Sequence, residues 1–254
     1  MERKPSERGP CTAEGLPPEG RYELSQGYPI YCAPSGPRHG GSKATGVLPL
    51  STDPLVHESG VDVGYSDGDR TVRAPDVSVG NVPDQPGWAR GAPPLTVEYA
   101  DTGTDEAELR QKIAELLSAG TQQVWVVRLV GPRRVEVHHT GQQGTLVRTA
   151  GQQLEAPGVL ANPLPVEALY DRGAAFEATL RNLLQRRGYA SLDAVLDEGA
   201  RQGQTLAMRE GLGDLCEALG VELTSARRAA LASLDLDGLI TLRAALKQHG
   251  RWPG

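Results

Sequence analysis

Apolar positions recur at two different periods along this chain, and the change between them divides it. Up to about residue 160 the apolar runs are short, alternating or bounded by turn residues, which reads as strands. Residues 21–31 (Arg-Tyr-Glu-Leu-Ser-Gln-Gly-Tyr-Pro-Ile-Tyr) read as a hairpin turning at Gln26-Gly27. Residues 61–65 alternate like a half-buried strand, Ser66-Asp67-Gly68-Asp69 supplies a turn, and residues 71–79 return as the second arm. After a Pro/Gly-rich loop over 80–94, residues 95–99 form a strand. Residues 124–130 (Val-Trp-Val-Val-Arg-Leu-Val) are the most apolar run and the expected sheet centre. Residues 135–139 and 144–149 fit two further strands, and 164–170 a short closing helix.

One helix interrupts this pattern. Leu109, Ile113, Leu116 and Leu117 lie at helical spacing, Thr104-Asp105 offers a cap and Gly120 a stop. Residues 33–46, polar and Gly-rich, read as a loop leading into a short helix, and Pro49 and Pro54 argue against a long helix over 46–60. From Ala174 onward the period becomes helical: Phe176, Leu180, Leu183 and Leu184, then Leu215, Leu219, Leu231, Leu234, Leu239, Leu242 and Leu246. The division expected is a flexible tail over 1–20, an α/β domain over 21–171 and an all-helical domain of four or five short helices over 172–254. No strict repeat is present, and no heptad array is long enough for a stable coiled coil.

Composition adjusts this picture in two places. The 31 Gly and 19 Pro in 254 residues, with 39% hydrophobic and 4% aromatic content, imply loop and a core of Val, Leu and Ala. A net charge of −6 argues against a nucleic-acid-coating protein but leaves room for a local basic groove on an acidic body. Cys11, Cys32 and Cys216 are odd in number and far apart, with no disulfide or zinc spacing, so a reducing cytoplasm is expected. The charged start has no apolar stretch after it, so no secretory signal is expected, and no run approaches a membrane span.

The candidate chemistry is acidic. Asp76 (Ala-Pro-Asp-Val) and Glu98 (Thr-Val-Glu-Tyr) sit in or beside short apolar strands, where two carboxylates can hold a hard divalent cation. A carboxylate within an apolar strand is costly unless paired, which favours a ligand role for Glu98; for Asp76 the alternative is a solvated turn. Lys112 follows on the helix, able to orient or deprotonate a water or to offset negative charge; its alternative is an ordinary surface lysine with Glu108 and Glu115 as partners. Glu23 is a further candidate, or simply the polar face of the hairpin. Arg38, His39, Lys43, Arg70 and Arg73 are candidates for phosphate contact. His138-His139 reads as neighbouring strand residues on opposite faces rather than as a metal pair.

In this order the motifs resemble the Uma2 family of restriction endonucleases, within the PD-(D/E)XK nuclease superfamily. The resemblance spans residues 19–171 and rests on Arg21-Tyr22-Glu23-Leu24, Pro34-Ser35-Gly36-Pro37-Arg38-His39, Ala74-Pro75-Asp76-Val77 and Val97-Glu98-Tyr99. It continues with Lys112, eight residues before Gly120, then Val124-Trp125-Val126-Val127 and Leu164-Pro165-Val166-Glu167-Ala168-Leu169-Tyr170. It implies a mixed central sheet flanked by helices and a Mg²⁺ (or Mn²⁺) site at Asp76 and Glu98. Glu23 would act there directly or through water, and DNA would be the substrate. The superfamily's usual lysine two residues past the second acid is replaced here by Ala100, and the family's lysine on the next helix is matched by Lys112. Departures are Asp101 in the turn after Glu98 and the Gly40-Gly41-Ser42 stretch, where relatives begin a regular helix. Residues 215–247 resemble, more loosely, a helical domain of unknown function in nuclease-like and transposase-associated proteins.

Three functions compete. One is a metal-dependent DNA endonuclease, working as a homodimer or higher oligomer. Another is a nuclease-fold module without turnover that binds or regulates through its helical tail. A purely structural subunit is the third.

Overall fold

The structure is a computed structural model and describes residues 10–16, 21–102, 106–142 and 144–253. The expected cap Thr104-Asp105 and most of the expected flexible tail (1–9 and 17–20) lie outside the described residues. The mixed α/β architecture with a helical C-terminal part is as expected, and the chain divides into two compact units, Met1–Arg187 and Gly188–Gly254.

The first unit opens with β1 (Tyr22–Ser25) and β2 (Tyr28–Tyr31), joined at Gln26 and Gly27, both at positive φ as a tight hairpin requires. Next comes α1 (Pro37–Ser51), a 15-residue helix where the sequence reading expected a loop leading into a short helix. Pro37 sits in its first turn, where a missing N–H is harmless, and Pro49 sits in its last. Glycine is needed at Gly46: a Cβ there would fall 2.0 Å from the Tyr99 hydroxyl. Tertiary packing thus overrides the weak helix propensity of Gly40, Gly41 and Gly46.

The expected hairpin over 61–79 is divided between two sheets. Its members are β3 (Ser59–Val61), β4 (Tyr65–Ser66), β5 (Val72–Arg73) and β6 (Val77–Val79), with Asp62 at φ 55° at the first crossover. β3 pairs with β6, whereas β4 pairs with β5. Then follow β7 (Ala89–Arg90), β8 (Leu95–Ala100), α2 (Glu106–Ser118), β9 (Gln123–Arg128), β10 (Arg134–His139) and β11 (Leu146–Thr149). The central sheet runs β11-β10-β9-β8-β6-β3, with the apolar β9 internal as expected. Only β8 and β9 are parallel in it, and α2 is the crossover that such a pair needs. A five-stranded sheet, β2-β1-β5-β4-β7, forms beside it.

Alternation along β8 and β9 sends two sets of side chains to opposite faces. Val97, Tyr99, Trp125 and Val127 enter the main core with Leu50 of α1. Val124 and Val126 pack instead with Ile113 and Leu116 of α2, and Glu98 shares their side. The chain closes through β12 (Gln153–Leu154), β13 (Leu164–Pro165), a 3-10 turn Val166–Leu169 and α3 (Arg172–Arg186). Tyr99 donates its hydroxyl to Leu169 O at 2.9 Å. Arg186 donates to Thr52 O, Asp53 O and Val56 O, and Asn182 to Pro49 O. These bonds hold α3 in the first unit, so the boundary lies at Arg187/Gly188 and not after residue 171.

The tail reading also changes at residues 10–16. Ala13 and Leu16 are buried with Leu24 and Val72, Cys11 N donates to Gly27 O, and the Trp88 indole donates to Ala13 O. The second unit contains α4 (Leu192–Ala218), α5 (Ser225–Ser233) and α6 (Leu236–His249) around Leu212, Cys216, Leu239 and Leu246. Ser191, Thr224 and Asp235 cap them through side-chain oxygens. Its first helix has 27 residues, unlike the short helices expected. Among the described residues no helix is long and apolar enough to cross a membrane.

Candidate active site

Charged side chains from β1, α1, the β5–β6 segment, β8 and α2 meet at one end of the central sheet. The β6–β8 register pairs Val77 with Val97, so Asp76 and Glu98 occupy the next step across two neighbouring strands. Asp76 Oδ2 accepts the Tyr99 backbone N–H at 2.7 Å. Its Oδ1 lies 3.0 Å from His39 Nε2 and 2.8 Å from Lys43 Nζ, two side chains one turn apart on α1. Lys43 also reaches Asp62 Oδ1 at 2.8 Å.

Lys112, on α2, is the hub of the other half. Its Nζ lies 2.9 Å from Glu23 Oε1, 3.0 Å from Glu98 Oε1 and 3.1 Å from Glu98 Oε2, and donates to Ala74 O at 2.8 Å. The hydrogen bond to Glu98 is aligned on Oε2. Oε1 feels the ammonium's charge but has no aligned donor among the described residues. Behind Glu23 lies Arg73, 2% exposed, which donates to Glu23 Oε2 at 2.8 Å and to Glu115 Oε2 at 2.5 Å. Glu115 in turn accepts from Ser25 Oγ at 2.6 Å and from Gln111.

Burial and charge act oppositely on the two central acids. Burial favours the neutral form of Asp76, but the His39 hydrogen bond and the charges of Lys112, His39 and Lys43 outweigh it and hold its carboxyl well below the usual range. Glu98 is more deeply enclosed. Desolvation, opposed by Lys112 and reinforced by Asp76 and Glu23, pushes it up to about 8. Burial disfavours charge on Lys112 too, yet Glu23, Glu98 and Asp76 raise it far above an ordinary lysine. In this setting its ammonium stands as a donor and a positive charge among three acids.

Seven residues singled out in the sequence thus share one network: Asp76, Glu98, Lys112, Glu23, His39, Lys43 and Arg73. For Arg73 the role of phosphate contact is corrected: it is buried and spent on two carboxylates. Arg38 stays outside, paired with Asp101, which accordingly does not join the acids. Arg70 donates to Gln26 O on the hairpin turn. His138 and His139 take no part, and His138 faces Thr145 Oγ1 instead.

The sequence missed Tyr99, Asp62 and Glu115. Glu115 had the reading of a surface partner for Lys112, but it serves Arg73. Its signal was there: a glutamate three residues past Lys112, among the buried Ile113 and Leu116. The contribution of Tyr99 is a backbone N–H, which no residue type announces.

Among the described residues no three His, Cys, Asp or Glu side chains are arranged as a metal cage. What is offered is smaller: two hard carboxylates on adjacent strands, one with an unaligned buried oxygen, in a network where Glu23, Asp62, Asp76, Glu98 and Glu115 outnumber Lys43, Arg73 and Lys112. That donor set fits a hard divalent cation completed by water.

Comparison with known proteins agrees on the fold. The crystal structure of a putative nuclease belonging to DUF820 from Anabaena variabilis superposes with a TM-score of 0.54 at 20% identity, covering 64% of this chain and 99% of that one. No curated protein matches. The family Uma2, described as "Putative restriction endonuclease", matches residues 11–168, a span that holds every residue of the charged network and reaches back to the buried turn at Ala13. With more than half its length so matched, the chain belongs to the Uma2 family.

Proposed function

We propose that this protein is a divalent-metal-dependent endonuclease that hydrolyses DNA phosphodiester bonds, with Mg²⁺ or Mn²⁺ held by Asp76 and Glu98. The observation that carries this reading is the convergence of Asp76, Glu98, Lys112 and Glu23 from β1, the β5–β6 link, β8 and α2 into one charged, cation-poor cluster. A bound divalent cation supplies Lewis-acid polarisation of a phosphate oxygen and lowers the pKa of bound water. His39, Lys43 and the Tyr99 N–H fix the Asp76 carboxylate in its ionised form and in one orientation. Lys112 presents an ammonium anchored by Glu23 and the Ala74 carbonyl, placed to hold a water or to offset charge growing on the phosphate. Arg73 holds Glu23, and so sets where Lys112 can point.

The test is cleavage of supercoiled plasmid and single-stranded DNA with Mg²⁺, Mn²⁺ or EDTA. Asp76→Asn and Lys112→Met should each lower metal-dependent cleavage by about 10²–10³-fold, with the circular dichroism of the native chain retained. No cleavage by the folded native chain under either metal would sink the reading. It would favour the second one, a nuclease-fold module acting through its helical unit. The observation on that side is the set of exposed leucines on α4: Leu192, Leu196 and Leu206.

A further inference from the structure

Among the described residues, none buries a side chain of the first half of α4. The buried residues of this 27-residue element, Leu212 and Cys216, both lie in its C-terminal half, and Met208 and Leu215 pack with them. Over residues 192–207 no side chain is buried, although Leu192 is 50%, Leu196 61% and Leu206 57% exposed. At 3.6 residues per turn, Leu192, Val195, Gly199, Gly203 and Leu206 fall within roughly 40° of one line, with Leu196 at its margin. Met208 and Leu215 fall on the opposite side of the helix. The stripe is therefore a second face and not an extension of the one that meets the core.

Its centre is made of glycine. Gly199 and Gly203 have ordinary helical φ, and beyond the adjoining residues and backbone of the helix itself no described atom lies within 4 Å of a Cβ built on either. Among the described residues nothing asks for them, and glycine disfavours an exposed helix. Close approach by another helix does ask for them. Asp193, Asp197 and Arg201 lie away from this line, so four turns present leucine, valine and glycine without charge.

We infer that this stripe is a self-association surface, and that its occupant is the same stripe of a second copy of the chain, running antiparallel across a two-fold axis at Gly199. The argument is self-complementarity. Reversing the helix about Gly199 sets Leu192 opposite Leu206 of the second copy and Gly199 opposite its own equivalent. It also places Val195 against Gly203, large against small on both sides of the axis, with Leu196 beside Gln202 at the margin. An isologous contact needs this property, and a surface shaped for an unrelated partner does not. Four helical turns bury less than the roughly 1,600 Å² of a standard interface, so the dimer is concentration-dependent, with a Kd on the order of micromolar. This surface stands independently of the nuclease reading.

Sedimentation equilibrium of the full chain over a wide concentration range reads the association. The native chain should fit a monomer–dimer equilibrium. Gly199→Gln with Gly203→Gln should raise the Kd at least about tenfold while leaving helix content equal or higher, because glutamine is the better helix former. A purely structural site would show no such opposition. Orientation is read by oxidative cross-linking in a Cys11→Ser, Cys32→Ser background. Chains carrying Leu192→Cys, mixed with chains carrying Leu206→Cys, should cross-link, and neither should do so alone. A chain that stays monomeric throughout, a dimer indifferent to the glutamines, or cross-links formed by either chain alone would overturn the inference.

Discussion

The two units break the ordinary rule of burial in opposite directions. In the first, charge is hidden: Glu23, Lys43, Arg73, Asp76 and Glu98 are all buried, on α1 and on or beside strands rich in Val and Leu. In the second, apolar surface is shown: the first half of α4 exposes leucines while its second half builds the core. Exposed leucine taken singly is unremarkable, and so is a charged residue on a surface. What carries information is a departure that is organised. The hidden charges form one network in which nearly every atom has a partner, and the shown leucines form one line. Hidden charge costs stability and is retained where it positions chemistry. Exposed apolar surface is retained where another molecule covers it.

The sharpest way to break this comparison is to show that the buried charges are only scaffolding. Arg73→Met removes the cation shared by Glu23 and Glu115, leaving Glu115 with neutral donors only and Glu23 with Lys112 as its one remaining cation. We expect a loss of about 3–5 kcal/mol in the unfolding free energy of the first unit, by urea titration followed through Trp88 and Trp125. In whatever fraction stays folded, DNA affinity should be little changed, because Arg73 does not face solvent. A variant of native stability with weakened DNA binding would restore Arg73 as a phosphate contact and undo the division of roles drawn above.

A smaller effect is expected at the seam between α1 and the sheet. Gly46→Ala places a methyl 2.0 Å from the Tyr99 hydroxyl and 3.0 Å from the Leu169 carbonyl, both engaged with each other. Relief means moving α1, which carries His39 and Lys43. Overpacking of this kind costs about 1–3 kcal/mol, and here it should also lower cleavage, since Asp76 loses its oriented partners. Loss of stability with unchanged cleavage of the folded fraction would separate α1 from the site.

How much of this was legible in the sequence depended on whether a residue's own chemistry or its neighbours decided the outcome. The strands over 95–99 and 124–130 and the helix carrying Lys112 were readable, because periodicity and apolar content are local. Asp76 and Glu98 stood out because a carboxylate beside an apolar strand asks for a reason. α1 was not readable: its glycines and Pro49 speak against a helix, and only the tight seat against Tyr99 and Leu169 explains them. The hairpin over 61–79 was half right. Turn chemistry fixed the reversal at Ser66–Asp69, but nothing local says that its two ends leave for a different sheet. Arg73 looked like a phosphate ligand because sequence gives charge and not depth. The boundary of the helical unit was misplaced for a related reason: α3 has the same period as α4, and only its bonds to Thr52, Asp53 and Val56 assign it to the first unit.

The finest test of the hidden charges is their response to pH. Without a cation, burial holds the Glu98 carboxyl up to about 8, while Asp76 stays ionised because its pKa lies below the usual range. The raised pKa means that the folded protein carries a proton on Glu98 below about pH 8, which an unfolded glutamate would release near its ordinary 4.5. Neutral Glu98 is thus tolerated throughout, and ionising it costs stability as pH rises from about 4.5 to 8. On the proposed reading, Mg²⁺ or Mn²⁺ bound to the Asp76–Glu98 pair would displace that proton, so affinity should fall about tenfold for each pH unit below 8. Near pH 6 close to one proton should be released per cation bound. Calorimetric titration in two buffers of different ionisation enthalpy counts that proton directly. Glu98→Gln should abolish the release and weaken binding, and it should leave Lys112 with Glu23 as its remaining charged partner. An affinity flat from pH 6 to 8, with no proton released, would mean that Glu98 is already ionised in the folded chain. Lys112 would then offset its burial, and the acids would carry one more negative charge near neutral pH than they do with Glu98 protonated.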